Sequence, residues 1–406
     1  MAPSIQSIFD TLLNDTWFEL TFLLVVALGV AFIFARFGQP KVIAYIVVGV
    51  VIGPSVLNII RVEGGSSGLP ASIQILAELG SLFLLLMVGL ESNLKEIYTR
   101  RSILIALGGV VVPWTAGYGV AIAFGFGTEA IFIGTTLVAT SVAVTASIIS
   151  EFGMIGTPVA KAIVGAAVVD DILGMVVLGV TNGVTSGGLD IVGVILLVIA
   201  AIVFVVVGAW IGTRFLTRLV FNVQIEGYRR KMPLSGFVLM LAITSLYAFV
   251  AEFIGISLIV GAFVAGACFS GSALRDGFKK GTQYFEALFV PLFFVSLGTV
   301  VDIGGIMNTA VFALVLVAVA FATKLAGCGV AARVTGMNKW DSVAVGIGMA
   351  PRLEIALIIA YYGLSRGLID FEIYSVVVFM GLVTALLTPS AFKWALRRGG
   401  HSLTGV

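Results

Sequence analysis

Runs of about 20 nearly uninterrupted apolar residues recur along this chain, and they constrain its fold more than any other feature, because that length of helix crosses the hydrocarbon core of a bilayer. Backbone N–H and C=O groups find no water there, so such runs form helices packed against one another. Composition agrees: of 406 residues, 60% are hydrophobic and 11% charged, with a mean hydropathy of +1.16. The prediction is an all-α polytopic membrane protein with the lipid bilayer as its surroundings. A net charge of +2 gives no footing for a nucleic-acid partner. The first run, Trp17 to Ala35, follows an acidic leader, which predicts a spanning helix and not a cleaved signal peptide. Cys268 and Cys328 both lie in apolar runs, where buried thiols are common, and say little about redox compartment.

Windows of this length predict about 13 transmembrane helices. They run 17–35, 40–61, 73–91, 102–125, 128–149, 158–183, 190–215, 233–252, 255–272, 284–301, 308–333, 341–364 and 372–395. With the N-terminus outside, 19 of the 23 Lys and Arg residues fall on the cytoplasmic side. Only Arg61 and Arg366 fall outside, and Lys324 and Arg352 lie within spans. Because Lys and Arg accumulate in cytoplasmic loops, the predicted orientation is N-terminus outside and C-terminus inside. An error of one span would reverse every later loop and spoil this asymmetry.

The basic stretch "RLVFNVQIEGYRRKMP" (218–233) reads as a loop between two groups of six spans. The first repeat would cover 17–183, a linker helix and loop 190–232, and the second repeat 233–395. Six spans on either side of such a linker run in opposite senses, the arrangement of inverted repeats in secondary transporters. "YIVVGVVIG" in the second span echoes "SLIVGAFVAG" in the ninth, and "LFLLLMVGLE" in the third echoes "PLFFVSLGTV" in the tenth.

Few charges lie well inside spans: Asp170 and Asp171 in the sixth, Lys324 in the eleventh, Arg352 and Glu354 in the twelfth. Each costs roughly 2.5 to 3.5 kcal/mol on insertion scales, so it needs a partner or a water-filled cavity. Structural ion pairs explain an isolated base well. They do not explain two adjacent aspartates, which point about 100° apart on a helix and face different neighbours. One is expected to pair while the other faces a cavity.

The fifth span, "TTLVATSVAVTAS" (135–147), is dense in hydroxyl groups, and the twelfth, "GIGMAPRLEIAL" (346–357), carries Gly346, Gly348 and Pro351. Proline removes a backbone donor, and unwound backbone at membrane depth is tolerated only beside protein or a hydrated cavity. Both are the fifth span of their half, so two crossed broken helices are predicted, with half-helix dipoles and freed carbonyls offered to an ion. Hydroxyl residues in membrane helices also serve simply as packing.

These features resemble the cation:proton antiporters of the NhaA and NapA type. The resemblance rests on "VATSV" (138–142), "GAAVVDDILG" (165–174), "ATKLAG" (322–327) and "GMAPRLEIAL" (348–357), in that order, and covers essentially the whole chain. It implies an NhaA-like fold in the plasma membrane of a prokaryote-type cell. It implies Asp171 as the principal carrier of Na⁺ or Li⁺ and H⁺, and Asp170 paired with Lys324. Thr140 and Ser141 match the polar residues at the crossing. Relatives usually read Pro-Arg-Gly-Glu where this chain has Leu353, which bears on the roles of Arg352 and Glu354. The Asp-Asp-Lys pattern goes with electrogenic exchange.

The expected chemistry is competition. Burial disfavours a bare carboxylate while a cation or donor favours it, so one carboxylate can hold either a proton or a small hard cation with oxygen ligands. Spans 102–183 and 308–395 would form the moving core. Spans 17–91 and 233–301 would form a scaffold and a homodimer contact. No cofactor is expected beyond the transported ions. Rival readings are a K⁺/H⁺ antiporter, whose potassium-efflux relatives usually add a nucleotide-binding domain where this sequence has a short tail, and a sodium-coupled solute symporter. A membrane aspartyl protease would need its two aspartates on separate helices.

Overall fold

The computed structural model describes residues 16–37, 41–53, 56–57, 59, 71–91, 99–185, 191–255, 258–299, 309–365 and 367–401. Arg61, Lys95, Arg366 and the acidic leader lie outside the described residues. Every regular element among the described residues is helical. The first half comprises α1 (Thr16–Arg36), α2 (Lys41–Ile52), α3 (Ala71–Glu91), α4 (Arg100–Ala123), α5 (Glu129–Thr136), α6 (Val142–Glu151) and α7 (Pro158–Thr185). α8 (Ile191–Ile211) then runs through a π-helical stretch, Gly212–Leu216, into α9 (Thr217–Arg229). The second half comprises α10 (Ser235–Phe253), α11 (Leu258–Phe269), α12 (Arg275–Thr299) and α13 (Ala310–Lys324). A second π-helical stretch, Leu325–Gly329, leads to α14 (Val330–Val334), followed by α15 (Lys339–Gly348), α16 (Glu354–Ser365) and α17 (Phe371–Arg398).

Each predicted span contains helix, but among the described residues only 8 stretches are helices long and apolar enough to cross a membrane. The fifth and twelfth spans are each split in two. The second and ninth hold short apolar helices, Lys41–Ile52 and Leu258–Phe269. The tenth starts early, at Arg275, in charged sequence. Apolar side chains on α8 such as Val192, Leu196, Ile199 and Val203 are exposed, a surface suited to lipid.

The stretch 218–233, read as a loop, is mostly the helix α9. Val220, Gln224 and Gly227 are buried at helical spacing while Arg218, Arg229 and Arg230 are exposed. Basic charge marks a position outside the hydrocarbon, not an absence of helix, and the amphipathic spacing was the better guide. Gln224 closes the following turn, donating to the Pro233 carbonyl at 2.6 Å and accepting from the Gly236 amide at 2.9 Å.

Packing falls into two sets of contacts. α2 and α3 lie on α12, and α3 also lies on α11. α4 lies on α5, α7, α13 and the second π-helical stretch, while α17 lies on α13, α15 and α16. Small residues allow the close approach of α2 to α12: a Cβ on Gly49 would stand 2.8 Å from the Gly298 Cα.

Candidate functional site

The site is built around two interruptions of helix. α5 ends at Thr136, and α6 restarts at Val142 with Ser141 as its N-cap, the Ser141 hydroxyl accepting from the Val144 amide at 3.2 Å. The second interruption, 349–353, separates α15 from α16 and contains Pro351, which has no N–H to give. The two interruptions cross. Ser141 N donates to the Pro351 carbonyl at 2.7 Å, the Thr140 hydroxyl to the Met349 carbonyl at 3.2 Å, and the Thr145 hydroxyl to the Gly348 carbonyl at 2.7 Å. Thr140, Ser141, Gly348 and Pro351 are thus brought together.

Two cationic side chains complete the crossing. The Lys324 ammonium, at the end of α13, donates to Asp170 Oδ2 at 2.9 Å and to the Val138 carbonyl at 2.8 Å. The Arg352 guanidinium, in the second interruption, donates to the Ala320 carbonyl at 2.8 Å and to the Ala139 carbonyl at 3.4 Å. Asp170, Lys324 and Arg352 are all 0% exposed. The Thr140 hydroxyl also stands beside the Asp170 carboxylate.

The sequence reading offered the carbonyls of the broken helices to an ion. In the structure those of Val138, Ala139, Gly348, Met349 and Pro351 all have protein donors. The reason is local: a carbonyl left bare at membrane depth is costly, and an ammonium or guanidinium carries enough donors to satisfy several acceptors. Glycine makes the room. A Cβ on Gly109 of α4 would lie 3.1 Å from Lys324 Nζ and 2.6 Å from Cys328 Sγ.

Asp171 is buried next to Asp170 on α7. Its side chain leaves the helix about 100° away from that of Asp170. Gly174, one turn further along, faces Ile355 in the first turn of α16, with 3.9 Å from its would-be Cβ to Ile355 Cγ2. α16 begins at Glu354, whose side chain lies outside the described residues.

Residues 21–398 match the family model described as sodium/hydrogen exchanger, transmembrane. The chain belongs to the sodium/hydrogen exchanger family. Its members are antiporters and not enzymes, which removes the protease reading and favours exchange over symport. Among curated relatives, the Na⁺/H⁺-K⁺ antiporter GerN of Bacillus cereus is 34% identical over 366 residues, covering 88% of this chain and 90% of GerN. The probable Na⁺/H⁺ antiporter GerT of the same organism is 33% identical over 384 residues, covering 93% of this chain and 98% of GerT. A solved structure of the sodium proton antiporter MjNhaP1 from Methanocaldococcus jannaschii superimposes with a TM-score of 0.70 at 18% identity, covering 95% of this chain and 98% of that one. At that identity the likeness speaks for the fold, which is therefore shared with an NhaP-type antiporter.

In this exchanger Leu353, at the position where the sequence motif usually has glycine, is buried, and its room comes from α17: a Cβ on Gly381 would come within 3.1 Å of Leu353 Cδ2. The sequence reading did not single out Thr145, although it lies in the hydroxyl-rich stretch one helical turn after Ser141. Nor did it give partners to Thr135, the first residue of that stretch, whose hydroxyl donates to the Ile131 carbonyl at 2.8 Å, accepts from Trp114 Nε1 at 3.3 Å and meets the Thr181 hydroxyl at 2.8 Å. Nothing in the one-dimensional pattern links those three residues.

Proposed function

We propose that the protein exchanges cytoplasmic Na⁺ or Li⁺ for external H⁺, with the two ligands competing for Asp171. The reading rests above all on the adjacent buried carboxylates at the crossing, one of them held by Lys324. Asp171 leaves α7 in a different direction, so a single helix presents one paired and one exchanging carboxylate. Because the freed carbonyls already have protein donors, the cation draws its oxygen ligands first from side chains: Asp171, Thr140, Ser141 and the second oxygen of Asp170. Water completes its shell. Occupancy by a proton removes the charge that holds the cation, and the reverse, which couples the two fluxes.

Asp170 and Lys324 carry the second proton. When Asp170 turns towards the cation it releases Lys324, which gives up a proton, so more than one proton returns per cation and exchange is electrogenic. Each net charge couples to about 2.3 kcal/mol per 100 mV. α4 to α7 and α13 to α17 move against α1 to α3 and α10 to α12, opening the crossing alternately to each side. The second set also forms a homodimer contact, in a plasma membrane with the N-terminus outside. Arg352 holds the crossing in register, with Glu354 beside it in sequence.

A second transported cation is supported by one observation, the K⁺ in the name of the relative GerN. The test is proton movement in proteoliposomes with a preset pH gradient, with Na⁺, Li⁺ or K⁺ added in turn while the potential is clamped and then released. Collapse of the gradient by Na⁺ or Li⁺, faster on release of the clamp, is the expected result. A response to K⁺ alone would move the protein to K⁺/H⁺ exchange, and no response to any of the three would reject the reading.

A further inference from the structure

The half-helix α6 is anchored at both ends. Its N-terminal end belongs to the crossing, through Ser141 and Thr145. Its last residue, Glu151, reaches a different set of helices: Oε1 accepts a 2.6 Å hydrogen bond from the backbone amide of Lys41, the first residue of α2, and the Val42 amide faces the same carboxylate. The first amides of a helix have no partner within it, and a carboxylate placed there is favoured by both the hydrogen bonds and the helix dipole. α2 is therefore capped by a residue 110 positions away. The cap is not loose at the α2 end, since Gly49 seats that helix directly against Gly298 of α12.

Beside this contact a cavity of about 280 Å³ opens between α6, α2 and α12, lined by Lys41, Tyr45, Ser147, Ser150, Gln283 and Glu286. It lies on the side that the distribution of basic residues makes cytoplasmic. Ser147, Ser150 and Glu151 bring the far end of α6 to this cavity, while the other end of the same half-helix carries Ser141.

We propose that Glu151 is a positioning residue, a latch that holds the state with the cytoplasmic cavity open by capping α2 from the end of α6. The proposal rests on the exchange reading above. A charge-assisted hydrogen bond from a helix-end amide to a carboxylate has a narrow geometry, so sliding α6 past α2 by even part of a helical turn breaks it. The latch exists in one conformation only, and whatever is made in one state alone shifts the balance towards that state. Losing it raises the apparent cation requirement on the cytoplasmic side and lowers it on the external side, because apparent affinity scales with the fraction of protein facing each side.

The experiment uses the full chain, as wild type, Glu151→Ala and Glu151→Gln, the last of which keeps an oxygen acceptor for the Lys41 amide. Amide hydrogen exchange over the first turn of α2 reads the cap without any transport. In oriented proteoliposomes, the half-saturating Na⁺ or Li⁺ concentration is measured from each side. Loss of a hydrogen bond to a charged group predicts amide exchange about tenfold faster in the alanine variant, with the ratio of cytoplasmic to external half-saturation rising by a similar factor and by less in the glutamine variant. Unchanged amide exchange overturns the proposal. So do faster exchange with equal shifts on both sides, which would make Glu151 a cap and no latch. If the alanine variant is not monodisperse, the glutamine variant decides by the same two readings. Absence of any cation-driven proton movement in wild type would reject the exchange reading instead, and the amide exchange would still judge the contact.

Discussion

The Lys324 ammonium lies 2.9 Å from the Asp170 carboxylate, and neither side chain has any exposed surface. At this depth the pair is a commitment: the two charges offset each other's desolvation, and removing one strands the other. Asp170→Asn is therefore expected to lower stability by about 3 to 5 kcal/mol, with Asp170→Asn combined with Lys324→Gln, which keeps a donor for the Val138 carbonyl, recovering most of the loss. Thermal unfolding of the purified single and double variants in detergent measures both. Additive losses in the double variant would mean that the pair is not the source of the stability.

The same ammonium is expected to set the response to voltage. Lys324→Gln keeps a donor for the Val138 carbonyl but carries no proton to exchange, so proton movement should lose its dependence on membrane potential while cation-driven movement persists in reduced form. Proteoliposome fluxes at clamped and released potential provide the comparison. Potential-driven exchange surviving in Lys324→Gln would remove the residue from the coupling.

Thr145 fastens one broken helix to the other through the Gly348 carbonyl at 2.7 Å. Valine has the same shape without the donor, and it leaves that buried carbonyl bare, at a cost of about 1 to 3 kcal/mol. Thr145→Val should lower the unfolding temperature and the rate of exchange, whereas Thr145→Ser should leave both near wild type. Equal behaviour of valine and serine would show that the hydroxyl contributes only bulk.

Gly109 supplies space and nothing else. Gly109→Ala places a methyl 2.6 Å from Cys328 Sγ and 3.1 Å from Lys324 Nζ, and overpacking of this kind costs about 1 to 3 kcal/mol. Removing the sulfur as well, in Gly109→Ala with Cys328→Ala, should restore part of the stability. A single Gly109→Ala variant as stable as wild type would show that α4 can draw away from the second π-helical stretch.

How much of this was readable from the sequence depended on the kind of signal. Asp170, Asp171 and Lys324 stood out because charge within an apolar run is conspicuous. Pro351 and the hydroxyls of the fifth span marked the interruptions because both compete with helical hydrogen bonding. Which donors satisfy the carbonyls of Val138 and Ala139 was not readable, since that depends on how α13 and the second interruption pack in three dimensions. The spacing of Val220, Gln224 and Gly227 marks α9 as a helix, while its basic residues give the same stretch the charge of a loop. The sequence reading did not single out Glu151. Only the approach of α2, far away in sequence, gives it a role.

In the proposed exchange one carboxylate, Asp171, holds either a proton or a cation. The most direct measurement is proton release in weakly buffered detergent solution on addition of Li⁺ or Na⁺, wild type against Asp171→Asn, with the fold of the variant checked by its unfolding temperature. Release from wild type is expected to shrink as the starting pH rises and the site arrives already deprotonated, with none from a folded Asp171→Asn. Equal release from the two proteins would contradict it and move the exchanging carboxylate elsewhere.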